Sequence, residues 1–206
     1  FRFNQMNSGP VIIITAPSGA GKTSITRYLL EQFPILSFSV SAATRPQREG
    51  EVDGKDYHFM SVADFQQKIN EDGFVEWEMV YEGKYYGTLK YEMYRIWEKY
   101  NIPLLDIDVK GAIHVQQQFP RNSLSVFIQA PSIDELKKRL ESRGTETLES
   151  IQTRTSKASY EMSFKDNFDI IIVNDDLERA QQETAKVVSE FLKRQMATMS
   201  NEVFSI

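Results

Sequence analysis

The chain has 206 residues, 41% of them hydrophobic, which is long enough and apolar enough to bury one core without disulfide or metal staples. With 24 Lys+Arg against 29 Asp+Glu it carries a net charge of −5. That balance argues against a general nucleic-acid coat, yet a few arginines in one cleft can still bind phosphate. Cysteine is absent and the two histidines, His58 and His114, lie far apart, so a disulfide scaffold, a Cys nucleophile and a multi-His or thiolate metal centre are excluded. No run approaches the roughly 20 apolar residues of a membrane span. The cysteine-free composition fits a reducing compartment, and a cytoplasmic location is expected.

Phe1–Ser8 carry no charged segment followed by an apolar one, so no signal peptide is expected and Met6 is the expected natural start. Val11–Thr15 is a β-branched run that reads as a buried strand, and Ser24–Phe33 reads as a helix. Leu36–Ser41 predicts a strand, and Ala42–Asp56 a long polar loop. Tyr57–Met60 and Phe74–Tyr81 read as strands, with Ser61 capping a helix between them through Asp64. After a Tyr86-Gly87 turn, Thr88–Tyr100 predicts a helix. Strands are then expected over Ile102–Asp108, Leu124–Ala130 and Ile170–Val173, and helices over Val109–Gln118, from Ser132 onward, and over Leu177–Lys193. The polar stretch Arg139–Met162 is expected to be a mobile cover, and residues 1–8 and 195–206 flexible ends. Alternating strands and helices imply an α/β fold with a parallel sheet covered on both faces, carrying a small β-rich insertion over about 41–87.

Ala16-Pro17-Ser18-Gly19-Ala20-Gly21-Lys22-Thr23 matches the phosphate-loop pattern G-x-x-x-x-G-K-[ST], except that Ala16 replaces the first glycine. It follows a predicted strand and opens a predicted helix. Its backbone N–H groups can turn onto phosphate, Lys22 can reach the β- and γ-phosphates, and the Thr23 hydroxyl can serve Mg²⁺. The expected ligand is therefore a nucleoside triphosphate.

The segments Ser39–Glu51 (SVSAATRPQREGE), Asp53–Phe59 (DGKDYHF), Phe74–Trp77 (FVEW), Tyr85–Thr88 (YYGT) and Leu105–Gly111 (LDIDVKG) resemble the signature of guanylate kinases. So do Arg139-Leu140, Arg143–Glu146 (RGTE) and Val173–Asp176 (VNDD). The resemblance runs from about Gly9 to about Arg194. It implies a phosphate-loop nucleoside monophosphate kinase core (about 9–40 and 88–194), a GMP-binding insertion (41–87) and a lid (139–162). The implied reaction is ATP + GMP → ADP + GDP with Mg²⁺ as cofactor.

By that resemblance Arg45, Arg48, Tyr57 and Tyr86 clamp the GMP phosphate, and two arginine forks suit a doubly charged monophosphate. Glu76, Ser41, Thr88 and Asp108 are the implied guanine contacts. A carboxylate accepts from guanine N1–H and its amine together, a pair that adenine lacks. From alternation alone Glu76 also reads as a solvent-facing strand residue, and Tyr57 as packing. Asp106 and Asp108, two apart at a strand end, are expected to serve Mg²⁺ through water and guanine respectively; one of them could instead cap the next helix. Arg139, Arg143 and Arg154 are the expected lid cations for the moving phosphoryl group, with Arg139 alternatively answering a helix dipole. Asn174 is expected near adenine, or as a turn residue. A phosphate-loop kinase for another small acceptor, and a catalytically inactive protein-binding module, stay open as alternatives. A homo-oligomer also stays open, while nucleic-acid and membrane partners are not expected.

Overall fold

Strand β1, Val11–Thr15, has no exposed residue, and its alternation divides the core. Ile12 and Ile14 enter one hydrophobic cluster, while Val11 and Ile13 enter another, as the two-residue period of a strand dictates. The computed structural model describes residues 9–142 and 148–203. After β1 come α1 (Lys22–Gln32), β2 (Leu36–Phe38), β3 (Ala42–Ala43), β4 (His58–Phe59), α2 (Val62–Asn70), β5 (Phe74–Tyr81) and β6 (Lys84–Leu89). Then follow α3 (Lys90–Trp97), β7 (Ile102–Asp106), α4 (Val109–Gln118), β8 (Ser123–Gln129), α5 (Ile133–Ser142), α6 (Leu148–Met162), β9 (Ile170–Val173) and α7 (Leu177–Val203).

Five strands lie in the order β2-β7-β1-β8-β9 with every neighbour parallel. One face packs on Ile25 and Leu29 of α1, Leu136 and Leu140 of α5, Ile151 and Ala158 of α6, and Val188 and Phe191 of α7. The other face packs on Met93 and Trp97 of α3 and on Ala112 and Val115 of α4. This is the doubly covered parallel α/β sheet that the sequence predicts. A second sheet, β4-β3-β6-β5, closes around Ala42, Phe65, Phe74 and Leu89, with the Phe65 and Phe74 rings stacked at 4.4 Å. Among the described residues no helix is long and apolar enough to cross a membrane.

Several expected boundaries shift. The strand from Leu36 stops at Phe38, and the expected loop contains the two-residue strand β3. Tyr86-Gly87 is not a turn and Thr88 does not open a helix; both belong to β6, paired antiparallel with β5 through Trp77↔Gly87 and Glu76↔Thr88. Gly87 is required there, because a Cβ would sit 2.9 Å from the Glu76 carbonyl oxygen and 2.8 Å from the Phe74 ring. The strand from Ile102 ends at Asp106, since Asp108 already caps α4 by accepting from Gly111 N–H. The expected polar cover contains the end of α5 and all of α6, and α7 runs on to Val203 beyond the expected Lys193.

Candidate active site

The carboxyl ends of β1 and β7 are adjacent, and their chains leave to opposite faces of the sheet, into α1 and α4. Open parallel sheets hold ligands at such a divergence. A cleft of about 310 Å³ opens there.

Its floor is the loop after β1. Gly19 and Gly21 adopt φ of 90° and 99°, which glycine reaches without strain, and Ala20 N–H donates to the Pro17 carbonyl at 3.1 Å. Ala16 replaces a glycine without obstructing the loop, because its methyl joins the buried core. Ala20 is wholly buried under the loop. Behind it, Asn174 Nδ2 donates to the Ala20 carbonyl at 2.8 Å, and Arg139 Nη2 donates to the Asn174 carbonyl at 3.0 Å. Asn174 and Arg139 therefore brace the loop rather than line the cleft. Lys22 Nζ lies 2.6 Å from Asp106 Oδ1 and donates to the Ile107 carbonyl at 3.1 Å. Burial pulls the Lys22 pKa down, but Asp106 outweighs it and holds the ammonium above its ordinary value. Thr26 Oγ1 donates to the other Asp106 oxygen at 3.3 Å.

The opposite wall comes from the second sheet. Glu76 on β5 is 7% exposed, and its Oε1 accepts from Thr88 N–H at 3.0 Å and from the Thr88 hydroxyl at 2.6 Å. Burial pushes the Glu76 pKa up to about 8 against the pull of those bonds, and Asp108 adds to the rise. Room for this carboxyl is made by Gly111, where a Cβ would stand 2.5 Å from Glu76 Oε2. Thr88, expected to touch the base directly, is 1% exposed and holds Glu76 instead. Asp108 lines the cleft while its Oδ1 accepts from Gly111 N–H at 2.9 Å, so the capping and site roles coexist.

Arg45, 8% exposed, lies 4.9 Å from the centre of the Tyr57 ring and 5.3 Å from that of Phe59. Both of its terminal nitrogens reach Glu51 at 2.6 Å. Tyr57 and Tyr86 meet edge-on at 6.0 Å, and burial raises the Tyr86 phenol pKa. Arg48 and Ser41 also line this side. On the third side, Arg154 of α6 donates to the Ser18 hydroxyl at 3.2 Å.

The structure thus brings Ala16, Pro17, Ser18, Gly19, Gly21, Lys22 and Thr23 into one cleft with Ser41, Arg45, Arg48, Tyr57, Glu76 and Tyr86. Asp106, Asp108 and Arg154 complete that set of expected residues. Arg143 lies outside the described residues. Sequence reasoning missed Glu51, Thr26, Gly111, Lys157 and Glu161. Lys157 and Glu161 follow Arg154 at helical spacing and line the same cleft, a periodicity visible in the sequence once Arg154 is chosen. Burial raises the Glu161 pKa, with Lys157 Nζ 3.5 Å away.

Among the described residues no three Asp, Glu or His side chains cluster as a metal cage. The Thr23 hydroxyl and the Asp106 carboxylate remain as oxygen donors in the cleft. Two such donors suit Mg²⁺, which takes most of its ligands from nucleotide phosphates and water.

The guanylate kinase family model matches residues 8–191. A guanylate kinase of Chlorobium luteolum is 46% identical over 190 residues, covering 92% of this chain and 96% of that protein. One of Bacteroides thetaiotaomicron is 45% identical over 195 residues, 95% of each. The crystal structure of guanylate kinase from Anaplasma phagocytophilum superposes with a TM-score of 0.73 at 28% identity, covering 91% of this chain and 87% of that one. With a core, a phosphate loop and a facing Arg–Glu wall in place, these likenesses make the chain a member of the guanylate kinase family.

Proposed function

We propose that this chain transfers the γ-phosphoryl group of ATP to GMP, giving ADP and GDP. One observation carries the reading: a single cleft is lined by the phosphate loop on one side and by Arg45, Tyr86 and Glu76 on the other. The loop and Lys22 hold the ATP phosphates. Arg45, Arg48, Tyr57 and Tyr86 hold the GMP phosphate, while Glu76, Ser41 and Asp108 read guanine. Thr88 positions Glu76, and Asn174 and Arg139 keep the loop in shape. An oxygen of the GMP phosphate attacks the γ-phosphorus as the bond to the ADP oxygen breaks, with no covalent intermediate on the chain. Lys22, Arg154 and Arg143 stabilise the charge on the moving group. Thr23, and Asp106 through water, would hold Mg²⁺, which would supply charge neutralisation to the nucleotide phosphates.

In this reading residues 9–194 form one kinase domain, with 41–87 as the GMP-binding insertion and 139–162 as the cover. The enzyme acts in the cytoplasm, where a cysteine-free chain has no disulfide to keep. A coupled assay of ADP formation with GMP, AMP, CMP and UMP tests it. ADP should form with GMP and stay near background with the others; ADP formation independent of acceptor, or equal for all four, contradicts the reading.

A further inference from the structure

We propose that Glu51 is a positioning residue for GMP, setting both arginines of the phosphate clamp through one carboxylate. The inference rests on the GMP-kinase reading above. Glu51 Oε1 accepts from Arg45 Nη2 and Oε2 from Arg45 Nη1, each at 2.6 Å. Oε2 also accepts the Arg48 backbone N–H at 2.8 Å. Glu51 N–H in turn donates to the Arg48 carbonyl at 3.2 Å, which closes the turn. Three donors thus converge on one carboxylate, and they belong to the two arginines that face the cleft.

A guanidinium has two usable edges. Glu51 occupies the Nη1/Nη2 edge of Arg45, and Nη1 is further fixed by the Pro46 carbonyl at 3.0 Å. The Nε/Nη2 edge is the one left for a pair of phosphate oxygens. The Tyr57 and Phe59 rings restrict the same guanidinium. Arg45 therefore meets a phosphate with its rotamer already chosen, and binding need not order it. A hydrogen-bonded Arg45 also holds Glu51 low, at about 2, so the carboxylate stays ionised at every working pH.

Glu51→Gln keeps the size but offers one acceptor oxygen where three donors converge, and its amide N–H₂ faces a guanidinium. The expected result is a KM for GMP raised roughly 10–100-fold, the scale seen when a group orienting a ligand contact is lost. KM for ATP and kcat should stay within a few-fold. Glu51→Asp keeps the charge but shortens the reach, and it should raise KM for GMP as well. On an Arg45→Lys background, Glu51→Gln should add much less than it does alone, because the two act as a unit. An unchanged KM for GMP in Glu51→Gln, or fully additive effects with Arg45→Lys, overturns the proposal. A lowered KM also overturns it, because Glu51 would then compete with the phosphate. Failure of the wild-type protein to form ADP with GMP defeats the functional reading itself; an active wild type with an indifferent Glu51 defeats this inference alone.

Discussion

In the proposed reading, a raised pKa and base recognition are coupled at Glu76. Its carboxyl titrates at about 8 in the free protein, so at pH 7 it is mostly protonated. Guanine N1–H and amine donors need the ionised form. GMP binding at pH 7 should therefore expel close to one proton, and affinity should gain up to about tenfold as pH rises past that pKa, a unit of pKa being a factor of ten. Calorimetry in two buffers of different protonation enthalpy reads this directly: the apparent enthalpy should differ between buffers for wild type and agree for Glu76→Gln, and wild-type agreement contradicts it. The stability sign is opposite. The folded carboxyl binds its proton more tightly than the unfolded one, whose pKa is near 4.5, so free protein should lose stability as pH rises from about 4.5 to about 8. Glu76→Ala should lose GMP activity and narrow the GMP/AMP ratio without creating a good AMP site, since Ser41 and Asp108 remain. Sites built on such bonds discriminate by roughly 10⁴-fold, and an unchanged kcat/KM ratio would make Glu76 a mere strand residue. Alternation could not reveal this burial, because it depends on Gly111 and Thr88, which are distant in sequence. Lys22 was legible from its loop alone. Lys22→Ala should cut turnover roughly 10²–10³-fold while GMP binding persists, and near-normal kinetics would remove the loop from the donor site.

Element boundaries depend on partners that a local reading cannot see. Tyr86-Gly87 carries a turn signal, yet β6 runs through it because β5 pairs with it at Trp77↔Gly87 and Glu76↔Thr88. By contrast β1 was legible, since a central strand buried on both faces needs an unbroken apolar run. The polar cover expected over 139–162 gave no boundary for α6, because its buried apolar residues are few, Ile151 and Ala158. Flanking those residues at helical spacing, Arg154, Lys157 and Glu161 line the cleft. A helix that brings a cation to Ser18 across the phosphate loop should act on the moving charge. Arg154→Ala should lower kcat by roughly 10²-fold or more, with KM for GMP within a few-fold. A change in KM alone would make α6 a binding wall and not part of the transfer machinery.

At the scale of the whole molecule, the phosphate loop that follows β1 of one sheet and the Glu76–Tyr86 wall of the other line one cleft, and in the proposed reading these are the donor and acceptor half-sites. The sequence made the parallel sheet legible through its rhythm of apolar strands, and the crossover order explains why the β1 and β7 ends open on one cleft. Transfer requires reacting atoms about 3–3.5 Å apart with water kept away, so the second sheet and α6 should close on the nucleotides. Small-angle scattering should give a smaller radius of gyration with ADP and GMP together than with neither. No change there, with unchanged amide exchange across 42–86 and 148–162, contradicts closure. Direct transfer between the two half-sites is tested most simply by following the label from [γ-³²P]ATP in the presence of GMP. The account predicts that the label appears in GDP, with none on the protein and little in inorganic phosphate. Label accumulating on the chain, or released as phosphate whether or not GMP is present, would contradict it.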